Sequence, residues 1–159
     1  MNPKRKKIIN SPKNTYEGFL KEISVIAIGL DSSRSQLNRR ELMELFRNEK
    51  RELRAINVKY ELKDVHKNSF DAHAKLTLKF RDKESDRIPL EIDCEFTAHF
   101  HGHEPINKVF AKRFTGAEFR IIIWPYFRQF VSDMTSRMYI GTIALPFSFD
   151  SAESEQPED

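Results

Sequence analysis

Three stretches in the middle of the chain alternate apolar and polar residues with a period of two. In the first, Ile56, Val58, Tyr60 and Leu62 are separated by Asn57, Lys59 and Glu61. The second puts Phe70, Ala72, Ala74, Leu76, Leu78 and Phe80 on one phase, with Asp71, His73, Lys75, Thr77 and Lys79 on the other. The third sets Ile88, Leu90, Ile92, Cys94, Phe96, Ala98 and Phe100 against Glu91, Asp93, Glu95, Thr97, His99 and His101. Successive side chains of a strand point to opposite faces, so each stretch predicts a strand buried on one side. The breaks HKNS and RDKESDR are short and polar, which predicts an antiparallel meander with a single apolar face.

Two flanking segments complete the pattern. FLKEISVIAIGL has apolar residues on both phases, Ile23, Val25 and Ala27 on one and Leu20, Ile26 and Ile28 on the other, which predicts a strand covered on both sides. From Asp31 to Leu53, Leu42, Leu45, Phe46 and Leu53 recur at near-helical spacing and predict a helix or a long crossover, so the first strand reaches the second by a Greek-key connection. Further on, Phe127, Phe130, Met134 and Met138 recur every three or four residues, widened by Ile123, Tyr126 and Val131. With Pro125 suited to a first turn, this predicts a helix from about Trp124 to Tyr139, ended near Gly141. The expected fold is α+β: a four-stranded antiparallel sheet of Greek-key and meander form, with a long C-terminal helix on one face. That helix, preceded by Ile121, Ile122 and Ile123, offers more apolar surface than one sheet face needs, which predicts a partner chain packed on Phe127, Phe130, Met134 and Met138.

Composition narrows the class. At 159 residues the chain is one ordinary domain, expected over residues 16–150. Lys4, Arg5, Lys6, Lys7 and Lys13 make residues 1–15 a basic arm without an acid before Thr15, and residues 151–159 form an acidic tail; both are too polar to bury and are expected to be disordered. Hydrophobic residues are 39%, charged residues 32% and mean hydropathy is -0.61, and no apolar run approaches the ~20 residues of a bilayer span. No apolar core of a signal peptide follows the basic start, so the expected setting is the cytoplasm, without membrane insertion. The lone cysteine, Cys94, excludes an internal disulfide and falls on the apolar phase of its strand, which predicts a buried, inert thiol.

One local pattern carries chemistry. In HFHGH, His99, His101 and His103 stand at alternate positions of a strand end, and imidazoles two apart share a face at about 7 Å, close enough for two to reach one metal. A small metal-dependent β-sheet enzyme built on this cluster is the alternative reading. The favoured one is a solvated strand end with no metal, because no further ligand closes a coordination shell. No glycine loop for phosphate and no nucleophile elbow occur, so the chain is expected to be neither an enzyme nor a user of a cofactor. Aromatic residues stay on the apolar phase, away from the lysines, so nucleic acid is not an expected partner.

The order of residues in the C-terminal third resembles a known family. IIIWPYFRQFVSDMTSRMYIGTIALPFSFD, through Pro125, Tyr126, Arg128, Met134, Ser136, Arg137, Pro146, Phe149 and Asp150, resembles the terminal segment of the SecB export chaperones, and LKEISVIA resembles their first strand. With the meander between them, the likeness spans about residues 19–150. It implies a homotetramer, a dimer of dimers with helices between two eight-stranded sheets, which holds unfolded or newly made polypeptides without nucleotide. Client contact is implied at Phe19, Ile26, Leu42, Phe46 and Trp124, and docking on the translocation motor SecA at Glu22 and Glu91. A third acidic position tied to that docking is Ile26 here, the body is mildly basic where the family is acidic, and a polar tail replaces the family's last helix. These departures fit a SecB-like branch that serves toxin and antitoxin modules and protects an aggregation-prone antitoxin.

Overall fold

The computed structural model describes residues 15–48 and 52–147. Most of the basic arm, the acidic tail, Phe149 and Asp150 lie outside the described residues. In chain order the elements are α1 (Tyr16–Glu22), β1 (Ile23–Leu37), α2 (Arg39–Phe46), β2 (Glu52–Val65), β3 (Ser69–Asp82), β4 (Leu90–Gly102), α3 (Lys108–Gly116) and α4 (Glu118–Arg137). The four strands form one antiparallel sheet in the order β1-β4-β3-β2. Strands β2, β3 and β4 are the expected meander, and β1 crosses over to pair with β4, which is the Greek-key arrangement.

The alternation in β3 and β4 translates directly into burial. Phe70, Ala72, Ala74, Leu76, Leu78 and Phe80 are fully buried, and Leu90, Ile92, Cys94, Ala98 and Phe100 are buried opposite them. β4 begins at Leu90, so Ile88 belongs to the preceding turn. That turn is built by Asp82, whose carboxylate accepts from the Glu84 N–H and the Ser85 hydroxyl.

β1 departs from its reading. Its two apolar phases are not two covered faces: bulges between Val25 and Ala27 and between Leu30 and Ser32 each insert one residue and switch the phase. Ile23 pairs with Gly102, Val25 with Phe100, Ile28 with Ala98 and Leu30 with Phe96, so these four apolar residues share the face that carries the core. The strand also runs on to Leu37 through a polar sequence, so the segment expected as helix or crossover divides into strand, the short helix α2 and a connection. Asn38 caps α2 by accepting from the Glu41 N–H.

Helices cover the apolar face in three parts. α1 and α3 close the end where Phe70 and Phe100 lie; the Phe19 and Phe114 rings pack on Phe70 at 6.3 and 5.7 Å. α4 crosses β3 and β4, and α2 closes the far end, with Phe46 edge-on to Phe80. α1 takes Phe19 to Glu22 out of the strand expected over FLKEISVIAIGL, and α3 has no counterpart in the sequence reading. α3 had a local signal, Asn107, whose side chain accepts from the Val109 and Phe110 N–H groups.

α4 starts six residues before the expected start at Trp124, at Glu118, and holds Pro125 in its interior. Proline removes one helical donor and costs about 3 kcal/mol there. Burial of Phe119 and Ile123, which lie upstream of it, offsets that cost: Phe119 is edge-on to both Tyr60 and Phe100. The buried stripe is Phe119, Ile123, Phe127, Val131 and Thr135, every fourth residue. After the helix the chain folds back along it. Ile140, Ile143 and Leu145 are buried, Thr135 accepts from the Ile143 N–H at 2.9 Å, and the Trp124 indole donates to the Pro146 carbonyl at 3.0 Å.

Candidate functional site

The bulged register of β1 leaves part of the apolar face without a cover. Val25 is 46% and Leu30 47% exposed although both face the helix side, and Ile26, at the bulge, is 60% exposed. No strand among the described residues pairs with the outer edge of β1. The apolar surface continues inward from this margin: Leu30 lies opposite Phe96, whose ring is 6.2 Å from Tyr126 and 6.2 Å from Phe130 on the flank of α4. Tyr126 is exposed, Phe130 half-buried, and Ile121 on the same helix is 76% exposed.

At the Ile23 end this strip runs into a cleft of about 600 Å³ between α1 and the connection from β4 to α3. Its apolar walls are Phe19, Ile23, Ile106 and Phe110, and its rim carries Glu17, Lys21, Glu22 and Glu104. Gly102 lies at its base, where a Cβ would come within 3.1 Å of the Ile106 and Ile23 terminal methyls and those side chains would have to shift. The cleft walls belong to a chain of rings, with Phe110 5.7 Å from Tyr16 and 5.8 Å from Phe19, and Phe19 6.3 Å from Phe114. The Arg113 guanidinium lies 3.9 Å over the Tyr16 ring, and the Tyr16 hydroxyl donates to Glu118. Burial, then the hydrogen bond to Glu118, push the Tyr16 phenol well above its usual range, so it stays a donor.

The residues expected to touch a client fall in different places. Ile26 is on the open margin and Phe19 on the cleft wall. Phe46 is half-buried against Phe80, while Leu42 and Trp124 are core residues, 0% and 3% exposed, with no surface to offer in this closed protomer. The expected interface stripe also divides. Phe127 is fully buried against Phe96 and Trp124 and belongs to the core, because the helix turns its 119-123-127-131 stripe to the sheet; Phe130, Met134 and Met138 remain half-buried beside it. Glu22 lies at the end of α1 beside the Ile23–Gly102 pair, whereas Glu91 is at the other end of β4, bound to Lys79 at 3.0 Å. At ~3.3 Å per residue along that strand they stand roughly 35 Å apart.

The opposite sheet face is a polar ladder. Lys75 meets Glu95 at 2.9 Å, His73 approaches the same carboxylate at 3.5 Å, and Thr77 donates to Asp93. Lys75 holds the Glu95 carboxyl below its ordinary range, chiefly by hydrogen bonding. His99 contacts Asp71 at 2.5 Å, and the rings of His101 and His103 lie edge-on at 6.4 Å. Among the described residues no three His, Cys, Asp or Glu side chains converge as metal ligands. Cys94 is buried, and burial pushes its thiol up to about 12, which removes the thiolate a nucleophile needs. Among the described residues no helix is long and apolar enough to cross a membrane.

No family model and no curated protein matches the sequence. The fold is similar to that of the Mycobacterium tuberculosis SecB-like chaperone Rv1957, solved in complex with a ChAD peptide from the HigA1 antitoxin Rv1956. Identity is 17%, the TM-score is 0.63, and the match covers 81% of this chain and 92% of that one. A protein of unknown function from Streptococcus agalactiae matches with a TM-score of 0.48 at 9% identity, over 79% of this chain and 98% of that one. The four-stranded antiparallel sheet with its C-terminal helix is therefore a SecB-like fold.

Proposed function

We propose that the protein is a chaperone of the holdase type, which binds extended apolar segments of unfolded or newly made polypeptides and needs no nucleotide to do so. The observation that carries this reading is the uncovered apolar strip from Val25 and Leu30 across Phe96 to Tyr126, continuous with the cleft beside α1. Soluble domains rarely leave such surface open unless it receives something. An extended segment gains backbone hydrogen bonds from the open edge of β1 and buries its side chains on the strip, at roughly 25 cal/mol per Å² removed from water. Each contact is weak, so affinity grows when several copies engage one client.

Assembly as a homotetramer, a dimer of dimers, belongs to the same proposal, with Phe130, Met134 and Met138 on the outward flank of α4 as the helical interface. The antitoxin peptide held by the M. tuberculosis chaperone supports protection of an antitoxin as the role, ahead of export. The separation of Glu22 from Glu91 speaks against one compact docking patch for SecA on a single protomer. The cytoplasm is the proposed compartment in either role.

Native mass measured with and without a reduced, unfolded polypeptide tests assembly and client binding together. A tetramer that takes up the client, and that suppresses aggregation of several unrelated denatured proteins without nucleotide, is the expected result. A monomer that ignores them overturns the reading. Met134→Lys is expected to reduce the mass to smaller species, since a buried charge without a partner costs several kcal/mol; a variant of unchanged mass removes α4 from the interface.

A further inference from the structure

The cleft beside α1 opens where the described chain begins: Thr15 is part of its wall, and its hydroxyl caps α1 by accepting from the Gly18 N–H. The preceding residues, 1–14, hold Lys4, Arg5, Lys6, Lys7 and Lys13, no acid, and two adjacent isoleucines, Ile8 and Ile9. The cleft is complementary on both counts. Its walls are aliphatic and aromatic, and its rim carries three carboxylates, Glu17, Glu22 and Glu104, against the single cation Lys21. We infer that the cleft is the docking site of this chain's own N-terminal arm, with Ile8 and Ile9 seated against Phe19, Ile106 and Phe110 and the Lys4–Lys7 run along the acidic rim.

The tether permits it. Ile9 is six residues before Thr15, which at ~3.3 Å per extended residue gives a reach of roughly 20 Å. α1 is 7 residues long, about 10 Å at 1.5 Å per residue, so the arm can turn back and run its length. A short flexible tether supplies a millimolar effective concentration, enough for an interaction that a free peptide would make only weakly. The inference goes beyond the holdase reading and does not depend on it.

Methyl NMR on the full chain tests it directly. A spin label on Asn10→Cys leaves both isoleucines in place, and Cys94, buried in the sheet, does not take the label. Expected is a several-fold greater loss of signal at the Ile23 and Ile106 methyls, which line the cleft, than at Val109, which is 74% exposed on α3 and outside it. The double variant Glu17→Gln/Glu22→Gln, or 1 M salt with its ~3 Å Debye length, should restore those signals. Equal loss at Val109, or a loss that neither treatment relieves, overturns the inference. So does loss seen only between spin-labelled chains and separately methyl-labelled chains refolded together, which would make the occupant a second copy's arm. Because no client is added, failure here leaves the aggregation assays of the holdase reading untouched, and the converse holds.

Discussion

Two apolar regions on the same sheet face have opposite fates. Where α3 and α4 meet the sheet, the rings of Phe70, Phe100, Phe114 and Phe119 are at most 5% exposed and pack at 4.9 to 5.9 Å. Along β1, Val25, Ile26 and Leu30 are 46 to 60% exposed although two of them continue that face. The residue types are alike; what differs is whether a helix lies over them. The contrast separates what holds the domain together from what is spare, and only the second region can serve a partner without unfolding the first.

The sharpest way to break the contrast is Phe100→Ala. The side chain fills the centre of the covered cluster, so a loss of about 3–5 kcal/mol is expected in urea unfolding. A loss under about 1 kcal/mol would mean that the cluster is no better packed than the margin. Thr135→Val comes next. It leaves the buried Ile143 N–H without its acceptor, which costs about 1–3 kcal/mol and should free the segment after α4, seen as faster amide exchange at Ile143.

Cys94 gives a pH arm to the same comparison. Its thiol is raised to about 12 in the folded chain, while an unfolded thiol titrates near ~8.5. The unfolded state therefore gives up the proton first. The stability that depends on the neutral thiol is complete below pH ~8.5 and is lost as pH rises toward 12. Alkylation at pH 8 should spare the native protein and label it fully in denaturant; rapid native labelling would put Cys94 outside the closed core. The smallest effect on stability is expected at Leu30→Ser, under about 1 kcal/mol. Yet this change should weaken suppression of client aggregation, and wild-type suppression by it would remove the margin from the client surface.

The SecB-like family likeness rested on short matches kept in order, and the M. tuberculosis chaperone has the same fold at 17% identity. The residues expected to meet a client differ in exposure for a physical reason. Ile26 lies on the open margin and Phe19 on the cleft wall, but Leu42 and Trp124 are enclosed. Periodicity reports that a position is apolar and on which face; it carries no information on which part of that face another element will cover.

What the sequence determined by itself is the meander and the sidedness of its strands, because alternation in β3 and β4 is a local property that the pleat turns into two faces. The polar ladder on the outer face follows from the same alternation. Tertiary structure alone decided the phase of β1, where bulges answered the demand that Val25 and Leu30 stay beside Phe100 and Phe96. It also decided the start of α4, where burial of Phe119 and Ile123 outweighed a proline in the helix interior. In both places a long-range contact competed with a local preference of only a few kcal/mol and prevailed, and the open margin and the cleft are what that competition left uncovered.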